Sequence, residues 1–161
     1  MLSILAERGY DVKNVRALAS ERSVGQELEF GKTRLYAEEL DGFDFSETDY
    51  ALFSAGGSVS EKYAPLAAEA GAIVIDNTSA FRYMDDIPLV VPEVNPHKLE
   101  GLGPGSIIAN PNCSTIQMLV ALAPIQREVG ISRINVATYQ SVSGAGAAAL
   151  RELGERTTER L

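Results

Sequence analysis

A single cysteine, a single histidine and no tryptophan occur among the 161 residues of this chain. One cysteine excludes a disulfide framework and fits a reducing cytoplasm, which is where the protein is expected to reside. Cys113 and His97 by themselves offer no zinc-ligand spacing, so no metal site is expected. Long apolar runs are also missing. Met1-Leu2-Ser3-Ile4-Leu5-Ala6 is cut off by Glu7 and Arg8, too short for a signal peptide or a membrane span. Positive charge is scarce, with 14 Lys and Arg against 22 Asp and Glu and a net charge of −8. That balance argues against nucleic acid and anionic membranes as partners, and an anionic ligand would need a local arginine cluster or helix end. No internal repeat, low-complexity tract or Pro/Ser-rich linker stands out. The remaining composition, 45% hydrophobic and 22% charged, is that of an ordinary globular protein long enough for a proper core.

Strand and helix patterns alternate along the chain. Met1 to Arg8 reads as a helix with Gly9 as its stop, so the chain opens inside a helix. Strands are expected at Asn14 to Ser20, Glu27 to Phe30 and Arg34 to Glu38. Tyr50 to Ser54 and Ala72 to Ile75 are continuous apolar runs of the kind a buried parallel sheet takes. Between them, Ser58 and Glu61 have capping-box spacing for a helix to Ala70, with Gly71 closing it. Further strands are expected at Leu89 to Val91, Ile107 to Ala109 and Arg133 to Gln140, the last alternating as a half-covered strand does. A helix from the Cys113 region to about Val129 carries Pro124 and closes at Gly130. From Ala147 onward the chain is helical again, and Leu161 ends it in mid-helix. This alternation predicts a doubly wound parallel α/β sheet, whose ligands bind beyond the carboxyl ends of the strands. Four loops lie there: Ser20 to Gly25, Ser54 to Gly57, Asn77 to Arg82, and Asn110 to Cys113.

Cys113 carries the sharpest chemical signal. It sits where a strand hands over to a helix, and unpaired N–H groups and the positive dipole end favour an anion there. The thiolate is the nucleophilic form of cysteine. Asn112 beside it offers an amide donor of the kind that steadies an oxyanion. The plainer reading is a small apolar residue buried under the helix. Each other candidate also has two readings. Arg22 and Ser23, after the first strand, suit a ribose 2′-phosphate and so NADP rather than NAD; otherwise they form a solvated loop. Ser54, Ala55, Gly56 and Gly57 let backbone approach a ligand closely, or make a simple turn. Arg82 can fork onto phosphate or carboxylate, or pair with Asp85 or Asp86. Gln140 can orient a bound carbonyl, or is an ordinary strand residue. His97, in a Pro-flanked loop, reads as surface.

Together these segments resemble the aspartate-semialdehyde dehydrogenases. The matching stretches include Leu18-Ala19-Ser20-Glu21-Arg22-Ser23, Phe53-Ser54-Ala55-Gly56-Gly57, Asp76-Asn77-Thr78-Ser79-Ala80-Phe81-Arg82 and Asn110-Pro111-Asn112-Cys113-Ser114-Thr115. Val90 to Asn95 and Tyr139 to Gly146 continue the match, so the resemblance runs through essentially the whole chain. The related acetylglutamyl-phosphate reductases place a glycine where this chain has Asn112.

The resemblance implies a Rossmann-like NADP-binding domain over residues 1–112 and the start of a second, α+β catalytic and dimerisation domain over 113–161. It implies that Cys113 forms an acyl-thioester, that Gln140 orients substrate and that Arg82 binds phosphate. Arg22 with Ser23 would hold the NADP 2′-phosphate, while Ser54 to Gly57, Ser143 and Gly144 would line the cofactor. The implied reaction interconverts aspartyl phosphate and aspartate semialdehyde with phosphate and NADP, towards lysine, methionine and threonine, in a homodimer. Members begin with a strand and a Gly-rich loop and carry a catalytic histidine in the second domain. Neither is present here, which implies a fragment that is nearly inactive alone. Two other readings remain: an acyl-phosphate reductase of the acetylglutamyl type, and a non-catalytic dinucleotide-fold module with an inert cysteine.

Overall fold

The computed structural model describes residues 1–9 and 14–159. Helix α1 (Leu2–Glu7) ends at Arg8 and Gly9, as the glycine predicts. The first strand is shorter than expected: β1 is only Leu18–Ala19, pairing in parallel with β4 (Glu38–Glu39). The stretch expected as one strand from Arg34 to Glu38 divides at the buried Ala37. Its first part, β3 (Thr33–Tyr36), turns back on β2 (Glu27–Phe30) as an antiparallel hairpin, and its last residue begins β4. Arg16 bonds Glu38 with its guanidinium and lies 4.8 Å over the Phe43 ring. That hydrogen bond holds the Glu38 carboxyl below the usual range for glutamate.

The centre is a parallel sheet of β5 (Tyr50–Phe53), β6 (Ile73–Asp76) and β7 (Ile107–Ala109), in that order. The register Ala51↔Val74↔Ile107 and Phe53↔Asp76↔Ala109 puts these residues on one face. Helix α2 (Gly57–Glu69) covers that face with Ala64, Ala67 and Ala68, whose small side chains let it lie close. Burying residues such as Phe53 and Val74 contributes roughly 1.5–3 kcal/mol each. The opposite face presents Tyr50, Leu52 and Ile75, all exposed. The continuous apolar pattern of both strands is that of a sheet with two covered faces, and α2 covers one.

Three expectations need correction. Helix α2 starts at Gly57 with Gly56 as its N-cap, so Ser58 lies inside the first turn and forms no capping box; Gly56 takes φ 107°, which lets the chain enter the helix directly from the strand end. Leu89 to Val91 forms a single parallel bridge, Leu89 to Ala109, because Pro88 and Pro92 on either side supply no N–H to extend a ladder. Arg133 to Gln140 is irregular and exposed rather than a strand, since no neighbouring strand pairs with it among the described residues. Helix α3 (Cys113–Val129) takes the expected range, with Pro124 inside and Gly130 closing it. Helix α4 (Ala147–Thr158) follows a 3-10 turn at Val142–Ala145. Whether it still runs at Leu161 lies outside the described residues.

Candidate active site

Because β5, β6 and β7 are parallel, the loops that follow them emerge at one edge of the sheet. Asp76, the last residue of β6, organises that edge from below. It is fully buried and accepts hydrogen bonds from Ser60 of α2 at 2.6 Å and from Thr78 at 2.8 Å. The Thr78 hydroxyl accepts in turn from the Ala80 N–H, which shapes the loop leading to Arg82. Above it, side chains link the three loops. Asn77 donates through Nδ2 to Ser54 Oγ (3.3 Å), and Asn110 donates through Nδ2 to Asn77 Oδ1 (2.6 Å). The half-buried Arg82 donates from Nε to the Asn110 carbonyl (2.9 Å) and from Nη2 to the Asn77 carbonyl (3.1 Å). No ion pair with Asp85 or Asp86 forms among the described residues. The guanidinium is thus steered by neutral carbonyls, with no carboxylate paired to it among the described residues.

Cys113 is the first residue of α3 and is exposed, which removes the buried-cysteine reading. Asn112 caps the helix: its Oδ1 accepts from the Ser114 and Thr115 N–H groups at 2.9 and 3.2 Å. The carbonyl end of that amide is committed to the cap, and the N–H end is the one left for a ligand. Gln140 reaches back across 27 residues to place Nε2 at 3.8 Å from Cys113 Sγ. Gly144 makes this possible: a Cβ there would lie 2.5 Å from Gln140 Nε2. Ser143 and Gly144 lie in the 3-10 turn beside it, pinned by the bond between Ser141 and Ser143.

The site residues therefore fall into three groups. Ser54 to Gly57, Arg82, Asn112 and Cys113 come from adjacent loops of one sheet edge, and Gln140 with Gly144 joins them through the sulfur. Arg22 and Ser23 sit in a 3-10 turn after β1, with local hydrogen bonds alone among the described residues. His97 is exposed, in the turn Pro96–Leu99. Sequence reasoning singled out the loops but gave no role to Asn77, Asn110, Asp76 or Ser60. The available signal was an asparagine in the first position after each of β6 and β7. The start of α2 has no side-chain cap, so its first N–H groups remain open beside the small residues Ser54 to Gly57. That combination fits a dinucleotide phosphate, which needs close backbone approach and unpaired amides.

Known proteins resemble this chain along its length. A family model described as semialdehyde dehydrogenase, NAD binding domain, matches residues 1–102, and one described as semialdehyde dehydrogenase, dimerisation domain, matches residues 122–161. Aspartate-semialdehyde dehydrogenase 2 of Vibrio cholerae is 57% identical over 161 residues, covering 100% of this chain and 48% of that protein. The crystal structure of Vibrio cholerae aspartate semialdehyde dehydrogenase II complexed with ASA superimposes with a TM-score of 0.88 at 56% identity, over 98% of this chain and 47% of that one. The Candida albicans aspartate semialdehyde dehydrogenase with NADP matches at 26% identity and a TM-score of 0.65, over 81% of this chain and 44% of that one. The chain spans about half the length of the curated relatives it matches. With a family model matching residues 1–102, well over half of its length, the chain belongs to the semialdehyde dehydrogenase family.

Proposed function

We propose that this chain is the dinucleotide-binding and nucleophile-bearing part of an NADP-dependent aspartate-semialdehyde dehydrogenase. In this reading residues 1–112 bind the dinucleotide and residues 113–161 begin the catalytic and dimerisation domain of a cytoplasmic homodimer. The observation that carries it is Cys113, exposed at the first position of α3 with the Gln140 amide 3.8 Å away and the Arg82 loop on the same sheet edge. Relatives named for aspartate semialdehyde and a relative solved with NADP support the choice of substrate and cofactor.

The chemistry follows from the parts. The Cys113 thiolate attacks the carbonyl carbon of aspartyl phosphate, and the Asn112 N–H end stabilises the charge that develops on oxygen. Inorganic phosphate leaves towards Arg82, whose guanidinium receives it, and the acyl group remains on sulfur as a thioester. Gln140 holds the acyl carbonyl while Ser54 to Gly57, Ser143 and Gly144 line the dinucleotide, and Arg22 with Ser23 takes its 2′-phosphate. Bound there in its reduced form, the dinucleotide would supply the hydride needed to take the thioester to the aldehyde, with Cys113 returned as the thiolate. The product enters synthesis of lysine, methionine and threonine.

The test uses the chain extended at both ends with the corresponding segments of the Vibrio cholerae relative. Phosphate-dependent NADP reduction by aspartate semialdehyde is expected, and Cys113→Ala should abolish it. Trapping without a reducing dinucleotide should leave the acyl group on Cys113 by mass spectrometry. Turnover retained in Cys113→Ala, or an acyl group on another side chain, overturns the proposal.

A further inference from the structure

Arg82 touches no carboxylate among the described residues, so its orientation depends on the two carbonyls it grips. Those carbonyls belong to Asn77 and Asn110, which lie 33 residues apart on loops that follow neighbouring strands. Three observations make their spacing a controlled quantity. The Asn110 N–H donates to the Asp76 carbonyl at 2.8 Å and the Asn77 N–H to the Phe53 carbonyl at 2.8 Å, so both backbones continue the sheet to its last rung. The side chains then close the gap above the sheet through the 2.6 Å bond from Asn110 Nδ2 to Asn77 Oδ1. The outer end of the Asn77 amide reaches Ser54 Oγ on the third loop. A guanidinium has five N–H donors in a rigid fork, so fixing two fixes where the other three point.

From this geometry we infer that Asn77 and Asn110 are positioning residues: their side-chain bond sets the separation of the two carbonyls that aim Arg82, and with it the affinity of the site for a phosphate dianion beside Cys113. This brace touches no reacting atom and acts through Arg82. It rests on the proposed reading of Cys113 and Arg82 as neighbours in a phosphate-releasing site.

Cys113 is the only cysteine of this chain, and its alkylation reports on the site. The experiment follows iodoacetamide labelling of Cys113, read by peptide mass spectrometry in the chain extended at both ends as above, against rising inorganic phosphate, together with a thermal melt. Phosphate is expected to slow labelling of the unsubstituted chain. Asn77→Ala is expected to raise the phosphate concentration for half-protection about threefold to tenfold, the worth of one hydrogen bond, with the phosphate-free labelling rate and the melt unchanged. Asn110→Ala, which removes the same bond from the other loop, should shift it equally, and the double variant should add nothing further. It also serves as the decisive variant if Asn77→Ala fails to fold. A half-protection point unchanged in the folded variants, with or without a lower melt, overturns the brace as a positioning device while leaving the parent reading standing. Phosphate that fails to slow labelling of the unsubstituted chain overturns both.

Discussion

The edge of the β5–β6–β7 sheet and the segment from Ile131 to Gly146 both contribute to the same site, and they are held in opposite ways. At the sheet edge, each loop emerges from a strand already paired to its neighbour, and Ser54, Asn77, Asn110 and Arg82 are hydrogen-bonded across three loops. Below them lie Phe53, Val74 and the satisfied buried Asp76. The later segment is exposed throughout most of its length, with Val136 at 58% and Tyr139 fully open, and it reaches the Cys113 sulfur through the Gln140 amide. The lesson is that the Arg82 side of the site is organised by the fold, whereas the Gln140 side depends on one polar contact to sulfur.

The contrast can be broken most directly by stability. Phe53→Ala should cost about 3–5 kcal/mol in chemical denaturation, as for a ring removed from a packed core. Val136→Ala on the exposed segment should change stability by less than about 0.5 kcal/mol. Equal losses would mean that the later segment is as firmly packed as the sheet, and the comparison would fail.

A smaller effect should appear at Gly144. Gly144→Ala places a methyl group where the Gln140 amide now lies, and that amide must move away from Cys113. Labelling of Cys113 near neutral pH should slow by about twofold to tenfold, since a donor to the attacking sulfur is lost. Gln140→Ala should slow it by the same factor, and the pair combined should give no more. Independent, additive effects would separate Gly144 from Gln140 and leave the later segment without its one anchor.

The smallest effect is expected at the outer strands, where β1 and β4 are joined beside the ion pair of Arg16 and Glu38. The Arg16 guanidinium holds the Glu38 carboxyl below its ordinary value, so the pair stabilises the fold above that ordinary value. The contribution is lost as pH falls through the lowered folded-state value. Both side chains are substantially exposed, so screening keeps the gain small. Glu38→Gln should lower the melt slightly near neutral pH and not at all in strong acid. A large loss would mean that the outer strands, too, depend on polar ties rather than on apolar cover.

Much of the architecture is legible in the sequence alone. Apolar runs from Tyr50 to Ser54 and from Ala72 to Ile75, the glycines after α1, α2 and α3, and the break at Asn110-Pro111 located the elements and the functional loops. Cys113 at a helix start was legible for the same local reason. The failures share a cause as well. Arg133 to Gln140 alternates as a strand does, but alternation becomes a strand only where another backbone offers hydrogen bonds. Leu89 to Val91 had a partner in β7, yet its flanking prolines limited it to one bridge.

The sequence by itself determined which residues are apolar, where the chain must turn, and which reactive side chain stands at the head of a helix, because these depend on neighbours within a few positions. Only the tertiary structure decided that Asn110 meets Asn77, that Arg82 grips carbonyls instead of Asp85 or Asp86, and that Gln140 turns back to sulfur. Those contacts join residues 5 to 33 positions apart, and the parallel order of three strands, which no local pattern records, brings most of them together.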